Sequence, residues 1–480
     1  MKHITEFLNK NLYKFIILVI LLLTAVIYIY KIDLLSLGYD ELFTINIVDL
    51  QSLQEVIYEG NIRDTHPPLY HFLLFLFVKI FGITELSIRL FSAFCGILSI
   101  YFIFVLSRKI FSLKEGIISS ILLMFNTYVM QINQFARGYA LFVLLSILTF
   151  IYFFNIIKNQ KTLINKDTLL YVIFSTLNIY THYFALFLLV NQMLFLLFFY
   201  RKKSIKYLLF FSITIFLLYC PWIKFIGPKA VATNNIDYFK WLEDCIFFNY
   251  QYKIVFIILL MLPILVLIYN KIFKNMSFKF IIEKFTHELF LLFFCIIPYF
   301  LLFFVDKCLF NCYNERYVVF LIPIYIILIS RGITLILKNF VIQSVFVIAL
   351  SISLSFNLLN YKVNSFTGFY CDNPKGALQC MSTIYNFNRS KDIDLLFVGV
   401  HLFDYYIHKY LSKVPKNKIT IIDWRKCKVD SDIVNFLEQK KPEYVLALQS
   451  CHTTYLQDNY TIVFTEHFNC FFDVYLIKIR

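Results

Sequence analysis

The chain has 480 residues, of which 60% are hydrophobic and 16% are charged, and its formal net charge is +15. Soluble domains carry about 25% charged residues, so this composition excludes an ordinary soluble protein and indicates a polytopic membrane protein. The positive balance is typical of basic loops that meet anionic headgroups. Membrane lipids, and not nucleic acid, are therefore the expected charged partners.

The first apolar stretch, residues 15–30, follows Lys2, Lys10 and Lys14. Its outline is that of a signal peptide, but bulky residues end it where cleavage would require small ones. We therefore predict an uncleaved first span whose N-terminus lies in the cytoplasm.

Basic residues in short loops mark the cytoplasmic side of a membrane protein. If every basic cluster of this chain lies inside, the pattern predicts about eleven crossings. The predicted spans are residues 15–30, 86–107, 116–132, 138–157, 168–181, 183–200, 207–225, 253–270, 288–305, 316–330 and 340–357. Residues 68–82 are apolar but short and contain Lys79. We predict that they form an interfacial helix at the outer face, because a further span would invert every later loop.

The character of the sequence changes after residue 357, where ordinary polar content begins. This predicts a transmembrane catalytic domain over residues 1–357 and a small extracytoplasmic α/β domain over residues 358–480. The predicted strands are 393–400, 419–424, 444–448, 460–466 and 471–479, with helices at 405–411 and 432–439. Alternation of this kind favours a mixed sheet with helices packed on it.

Most of the 11 cysteines fall in predicted external segments, namely Cys245, Cys308, Cys312, Cys371, Cys380, Cys427, Cys451 and Cys470. An even number permits disulfides, but the pairing cannot be deduced from sequence. The spacing of Cys308 and Cys312 would suit a metal, yet no matching second pair follows. Disulfides or free thiols are favoured over zinc.

Two polar runs stand in the first predicted outer loop. Asp40 and Glu41 follow the first span closely, and carboxylates near hydrocarbon are costly enough to mark a candidate functional site. A solvated acidic loop is the plainer alternative. Further on, the two prolines of His66-Pro67-Pro68-Leu69-Tyr70 favour a helix start, which holds His66 at the head of the short apolar helix.

The threading brings further polar residues to the same outer face. They are Arg137, His182, the loop 226–252 and the stretch from Asp306 to Arg316. This convergence follows from the charge asymmetry of the loops alone. Each residue also has an ordinary structural interpretation, since arginines at membrane ends snorkel and histidines make structural hydrogen bonds.

These runs follow one another along the chain in a recognisable order. They are Asp40-Glu41, His66-Pro67-Pro68-Leu69-Tyr70, Glu85-Leu86-Ser87-Ile88-Arg89-Leu90, Ala136-Arg137-Gly138-Tyr139-Ala140-Leu141, Thr181-His182-Tyr183 and Glu315-Arg316-Tyr317 followed by Pro323. The order resembles that of polyprenyl-phosphate-sugar-dependent glycosyltransferases of the glycosyltransferase-C fold. Protein O-mannosyltransferases and lipid A aminoarabinose transferases belong to that group.

The resemblance implies hexosyl or pentosyl transfer from a polyprenyl-phosphate-linked donor at the outer face of the cytoplasmic membrane. A protein, a lipid or a polysaccharide is the expected acceptor. By the family pattern Asp40 is the base that accepts the proton of the acceptor hydroxyl. Glu41 is expected to position the acceptor or Asp40, or to help bind a metal.

The leaving group of such a reaction is a lipid phosphate, whose developing charge requires cations nearby. Arg137, Arg316 and Lys307 are the candidates for that role. The resemblance makes His66, His182 and Tyr70 candidates for binding substrate or a divalent cation, the one cofactor considered, although the sequence does not establish a metal.

One departure from the family narrows the assignment. In the aminoarabinose transferases the region that matches Ala136–Ala140 carries an acidic residue, whereas this chain has none there. The resemblance therefore does not extend to the aminoarabinose substrate. The assignment of the catalytic base depends on Asp40 alone.

Three other functions remain open from sequence. A ligase that moves a whole glycan from a polyprenyl carrier would be embedded in the membrane in the same way. A lipid or solute transporter is expected to carry ionisable residues within central spans and repeated halves, and this chain has its charges near the membrane faces. A non-enzymatic envelope scaffold is the third alternative.

Overall fold

The computed structural model describes residues 2–34, 36–64, 66–159, 163–200, 205–223, 253–272, 285–308, 315–364, 381–382, 385, 393–399, 404–412, 414–423, 439–440, 444–450, 461–468 and 472–478. The chain divides into two compact units. The first comprises residues 1–30, 51–82 and 87–360, and the second comprises residues 31–50, 83–86 and 361–480. The division predicted at residues 357 and 358 stays a prediction.

Helices make up the described chain as far as residue 364. They are α1 (Lys2–Ile29), α2 (Tyr39–Val48), α3 (Leu53–Arg63), α4 (Leu69–Phe81), α5 (Glu85–Ile110), α6 (Leu113–Met124), α7 (Thr127–Asn133), α8 (Tyr139–Asn159), α9 (Lys166–Ile179), α10 (Ala185–Tyr200), α11 (Ile205–Ile223), α12 (Lys253–Ile272), α13 (Thr286–Cys308), a 3₁₀ helix (Glu315–Leu321), α14 (Ile322–Ile336) and α15 (Phe340–Asn364). Helical structure is present at each predicted apolar span and at the predicted interfacial segment.

Polar caps and special backbone residues set several helix boundaries. The hydroxyl of Ser112 accepts the Lys114 N–H at the start of α6, and the side chain of Asn165 caps α9 in the same way. Such caps satisfy amide groups that a helix start leaves without partners. Helix α4 begins directly after two prolines and ends at Gly82, whose φ of 75° favours glycine.

The span predicted over residues 116–132 contains a bent pair of helices. Helices α6 and α7 meet at an angle of 67°. The reason is Asn126, whose side-chain oxygen accepts the Val129 N–H at 2.9 Å and so starts a new helix inside the apolar run. The sequence prediction did not include this break, because it weighed apolar length alone.

Six of the described helices are long and apolar enough to cross a membrane, and the number becomes seven if the bent pair is one span. Helices α4 and α10 are apolar but shorter. The chain is thus a multi-pass α-helical membrane protein, as predicted from its composition. The predicted number of about eleven crossings stays a prediction.

An ionic network between a partly exposed arginine and two buried glutamates joins three helices of the first unit. Arg331 of α14 donates to Glu288 of α13 at 3.0 Å and to Glu115 of α6 at 2.9 Å. The hydroxyl of Thr334 donates to the same Glu115 carboxylate at 2.7 Å. Paired in this way, charges that would be costly in an apolar bundle fix the register of the helices.

The second unit contains a five-stranded mixed sheet and a short helix. The elements are β1 (Ile393–Gly399), α16 (Asp404–Tyr410), β2 (Ile419–Asp423), β3 (Tyr444–Ser450), β4 (Thr461–Phe468) and β5 (Phe472–Lys478). The strand order is β2-β1-β3-β5-β4. Strand β1 runs parallel to β2 and β3, whereas β5 runs antiparallel to β3 and β4. The predicted mixed sheet and its C-terminal hairpin are confirmed, and the helix predicted at 432–439 lies almost wholly outside the described residues.

Candidate active site

A buried ion pair forms the centre of the candidate site in the first unit. Arg137 donates from Nη1 to Asp64 Oδ2 at 2.8 Å and from Nη2 to Asp64 Oδ1 at 3.0 Å. The Asp64 side chain is 3% exposed and that of Arg137 is 8% exposed. A bidentate pair of this kind fixes both side chains, because two parallel bonds define the plane of the guanidinium group.

The segment between α3 and α4 carries Asp64 and His66 to this position. Asp64 ends α3, and its carboxylate accepts the backbone N–H of His66 at 3.1 Å. A few residues later, the N–H of Leu69 donates to the carbonyl of Tyr180 at 3.0 Å. The start of α4 is therefore attached to the loop that carries His182.

The electrostatics of Asp64 follow from these contacts. Burial alone would raise the pKa of its carboxyl, but the neighbouring Arg137 and the hydrogen bond from His66 outweigh burial and hold the pKa well below its usual range. Asp64 is consequently ionised at neutral pH. Its charge is neutralised by Arg137, so the pair adds little net charge to the site.

His66 lies against this pair and is surrounded by aromatic rings. Its Nδ1 lies 3.1 Å from Asp64 Oδ1 and 3.2 Å from Arg137 Nη2. It donates to the carboxylate in one tautomer and accepts from the guanidinium in the other. The rings of Tyr139 and Tyr317 stand edge-on to His66, each with its centroid 5.8 Å away.

His182 completes the cluster from the loop between α9 and α10. Its ring centroid lies 4.8 Å from that of His66, and the ring stacks on Phe142 at 4.7 Å. Nδ1 accepts the Phe184 N–H at 3.2 Å, which assigns the proton of the neutral ring to Nε2. Within the described part of the chain, this buried Nε2–H has no hydrogen-bond partner.

Burial lowers the pKa of His182 well below its usual value, and the neighbouring His66 and Arg137 lower it further. The ring is therefore neutral at physiological pH. A buried donor without a partner costs free energy. Such a group is suited to donate to an oxygen of a bound substrate, for which it requires no rearrangement.

The two predicted catalytic carboxylates belong to the second unit. Asp40 and Glu41 are in the first turn of α2. Asp40 is half-buried, whereas Glu41 is fully buried and its Oε2 accepts the Gly38 N–H at 3.0 Å. Glu41 therefore caps its own helix, and this contact fixes the backbone on which Asp40 is mounted.

The remaining predicted residues differ in their surroundings. Arg316 lies over the ring of Phe135 at 5.7 Å, next to Tyr317, which contacts both histidines of the cluster. Lys307 is 53% exposed and lies 3.7 Å from Asp306. The hydroxyl of Tyr70 is hydrogen-bonded to Ser92 at 3.0 Å inside the packing of α4 on α5.

Sequence reasoning missed three residues of this cluster. Asp64 was overlooked although it stands two positions before His66, a spacing at which a carboxylate commonly accepts a backbone N–H in a turn. Tyr139 and Tyr317 lie inside runs from which only the arginine was chosen. The position of Tyr139 directly after Arg137-Gly138 was the available signal.

Among the described residues, no three His, Cys, Asp or Glu side chains are arranged to hold a metal ion. Cys308 is a free, exposed thiol in the described structure, and the other seven external cysteines lie outside the described residues. The preference for disulfides or free thiols over zinc at these cysteines stays a prediction.

Comparison with known proteins adds a family match and a fold. Residues 65–225 match the family model described as dolichyl-phosphate-mannose-protein mannosyltransferase. That segment contains His66, Arg137 and His182, which meet in the cluster described above. No curated protein matches the chain by sequence.

Several solved structures have a similar architecture. ArnT from Cupriavidus metallidurans in the apo state matches with a TM-score of 0.58 at 11% identity, over 96% of this chain and 97% of that chain. ArnT from the same organism bound to undecaprenyl phosphate matches with a TM-score of 0.53 at 13% identity, over the same 96% and 97%. An Archaeoglobus fulgidus oligosaccharyltransferase tethered with an acceptor peptide matches with a TM-score of 0.50 at 11% identity, over 90% of this chain and 69% of that chain. The chain is therefore a membrane protein of the glycosyltransferase-C fold, as its sequence motifs predict.

Proposed function

We propose that this protein transfers a single hexosyl or pentosyl unit from a polyprenyl-phosphate-linked donor to an acceptor at the outer face of the membrane. The main support for this proposal is the composition of the buried site. The segment that matches the mannosyltransferase family model brings His66, Arg137 and His182 together in one buried site. Undecaprenyl phosphate, bound in one structure of similar fold, supports a donor of the same chemical class.

In the proposed reaction the acceptor oxygen attacks the anomeric carbon of the donor sugar. The bond from that carbon to the phosphate oxygen breaks, and the polyprenyl phosphate leaves with the electron pair. Asp40 accepts the proton of the acceptor hydroxyl, which raises the nucleophilicity of the oxygen as it attacks. Glu41 is a positioning residue, because its buried carboxylate caps the helix turn that presents Asp40.

The departing phosphate gains one negative charge, which the site must stabilise. We assign this role to the Nε2–H of His182, with Arg316 and Lys307 as charged contributors. Arg137 is expected to position its neighbours as well as to contribute positive charge, because both of its terminal nitrogens are hydrogen-bonded to Asp64. His66 and Tyr70 remain the further candidates for binding the substrate.

An apolar groove supports a lipid-linked donor. It lies between α9, α10 and α11, has a volume of about 410 Å³, and is lined by Ile179, Met193, Ser212 and Tyr219, among others. Its lining begins at Ile179, three positions before His182 along the chain. We assign the groove to the polyprenyl chain, because a lipid held there would have its phosphate end near the histidine donor.

We also propose an extracytoplasmic active site and an acceptor that is selected on that side of the membrane. The basic loops support an active site and a domain over residues 358–480 on the extracytoplasmic side, where that domain would select a protein, lipid or polysaccharide acceptor. A cysteine introduced at the exposed Lys114 should react with a membrane-impermeant maleimide only after the membrane is opened. Labelling of intact cells at this position would overturn the threading.

Reconstitution in proteoliposomes tests the function. The purified protein is offered polyprenyl-phosphate monosaccharides, polyprenyl-pyrophosphate glycans and an acceptor extract. Transfer of one sugar from a monophosphate donor is expected. Transfer only from pyrophosphate-linked glycans would identify a whole-glycan ligase instead. Movement of lipid or sugar across the bilayer without a new glycosidic bond would identify a transporter.

A further inference from the structure

The helix turn that carries Asp40 is held from within the second unit by the C-terminal part of the chain. Tyr406 of α16 is fully buried, and its hydroxyl accepts the backbone N–H of Leu37 at 2.7 Å. Leu37 stands three positions before Asp40, directly ahead of the Gly38 amide that Glu41 caps. Together, the two contacts provide hydrogen-bond acceptors for two successive backbone N–H groups, those of Leu37 and Gly38, at the start of α2.

A second contact holds a neighbouring segment through the same short helix. Lys409 Nζ lies 3.0 Å from Glu85 Oε1, and the Glu85 side chain is 4% exposed. Tyr406 and Lys409 are three positions apart, so both extend from one side of α16. The ring of Tyr406 also stacks on that of Tyr410 at 6.0 Å. Helix α16 therefore contacts residues 37 and 85, which are far apart in the sequence.

We infer that Tyr406 is a positioning residue for Asp40, and that the C-terminal unit is needed to set the catalytic carboxylate. This inference rests on the proposed function, in which Asp40 is the base. Loss of the Tyr406 hydroxyl would leave the buried Leu37 amide without its partner. The entrance to α2 would then move, and small displacements of a catalytic group lower the rate strongly.

The test uses Tyr406→Phe in the full-length protein, reconstituted in proteoliposomes and assayed for sugar transfer. We expect kcat to fall by about tenfold or more, with the KM for the donor unchanged, because the variant affects the base and not donor binding. Tyr410→Phe is the matched control. It removes a hydroxyl from the same helix and keeps the ring stack, so its kcat should equal that of the wild type.

A double variant separates this inference from the proposed function. If Tyr406 acts through Asp40, then Tyr406→Phe causes no further loss of rate when it is added to Asp40→Asn. Wild-type kcat in Tyr406→Phe, together with a strongly reduced rate in Asp40→Asn, would overturn the inference and leave the proposed base in place. Full activity of Asp40→Asn would instead remove the base assignment itself.

Amide hydrogen exchange provides a readout that does not depend on activity. The peptide that contains Leu37 should exchange about tenfold faster or more in Tyr406→Phe, whereas peptides from β3 and β5 keep their wild-type rates. If the variant does not fold, hydrogen exchange of the wild-type protein tests the inference. The inference requires that the Leu37 amide is protected from exchange in the wild type, and rapid exchange at this amide would contradict it.

Discussion

Arg137 binds both carboxylate oxygens of Asp64 inside the first unit, and the two residues are 73 positions apart in the sequence. The pair is almost wholly buried. A buried pair is a weak source of net stability, but removal of one partner is costly because the other charge stays behind.

Asp64→Asn should therefore destabilise the protein by about 3–5 kcal/mol, since Arg137 would keep an uncompensated charge. Thermal unfolding in detergent measures this. Lys307→Gln is the control, because Lys307 is 53% exposed and lies as far as 3.7 Å from Asp306, so we expect a loss of about 1 kcal/mol or less. Equal shifts for the two variants would show that the Asp64 pair is not structurally important.

The neutral state of His182 predicts a pH dependence of stability. Its pKa in the folded protein is depressed by burial, whereas in the unfolded chain it is about 6.5. The unfolded state thus binds a proton first as the pH falls, and stability is lost below about pH 6.5 at up to about 1.4 kcal/mol per pH unit. The wild-type Tm should fall between pH 7.5 and pH 5.5 by more than that of His182→Gln.

Phe184→Leu is the control for the pH experiment. Phe184 is a neighbour of the same ring at 5.6 Å but carries no titratable group. Its substitution should lower the Tm by the same amount at both pH values. A wild-type Tm that changes with pH no more than that of His182→Gln would contradict the neutral, buried state of the ring.

The tautomer of His182 predicts how two amide substitutions differ. Nδ1 accepts the Phe184 N–H, and Asn keeps an acceptor near that position but has no group that reaches to Nε2. Gln extends its amide to the Nε2 position and can still donate. A hydrogen bond to a charged group contributes about 1.5–3 kcal/mol. His182→Asn should therefore lower kcat/KM for the donor by about tenfold or more, whereas His182→Gln should change it much less.

The reverse order would count against Nε2–H as the donor group. An unchanged kcat/KM in both variants would remove His182 from the donor site. Circular dichroism and monodispersity in detergent would confirm that each variant is folded before kinetic constants are compared.

The apolar groove predicts a dependence on the length of the lipid. Ser212→Phe places a large side chain in the groove lining, which should raise the KM for a long-chain polyprenyl donor and spare a short-chain analogue. Ile213→Phe is the control, because this neighbouring residue is 55% exposed and does not line the groove. If both variants respond alike to chain length, the polyprenyl chain binds elsewhere.

Sequence patterns predicted the helices well because apolar length and basic loops are local signals. The first unit brings together His66, Arg137 and His182, whereas the predicted threading that places them on one face stays a prediction. The break at Asn126 was missed, since a single capping residue changes the course of a helix without changing its mean hydropathy.

Other features could not be predicted from local patterns. The contact of Tyr406 with Leu37 joins residues 369 positions apart, and neither residue lies in a run that suggests pairing. The capping role of Glu41 depends on which carboxylate of the Asp40-Glu41 pair turns back to the Gly38 amide. Only the three-dimensional structure distinguishes the two acids on physical grounds.

The most direct test of the central claim is the rate of sugar transfer by Asp40→Asn in a single turnover. The substitution keeps the size of the side chain and removes its ability to accept a proton, so the rate should fall by about 10²–10⁴-fold. Asp49→Asn, at the exposed end of the same helix, should transfer sugar at the wild-type rate. An Asp40→Asn protein that transfers sugar as fast as the wild type would contradict the proposal that Asp40 is the catalytic base.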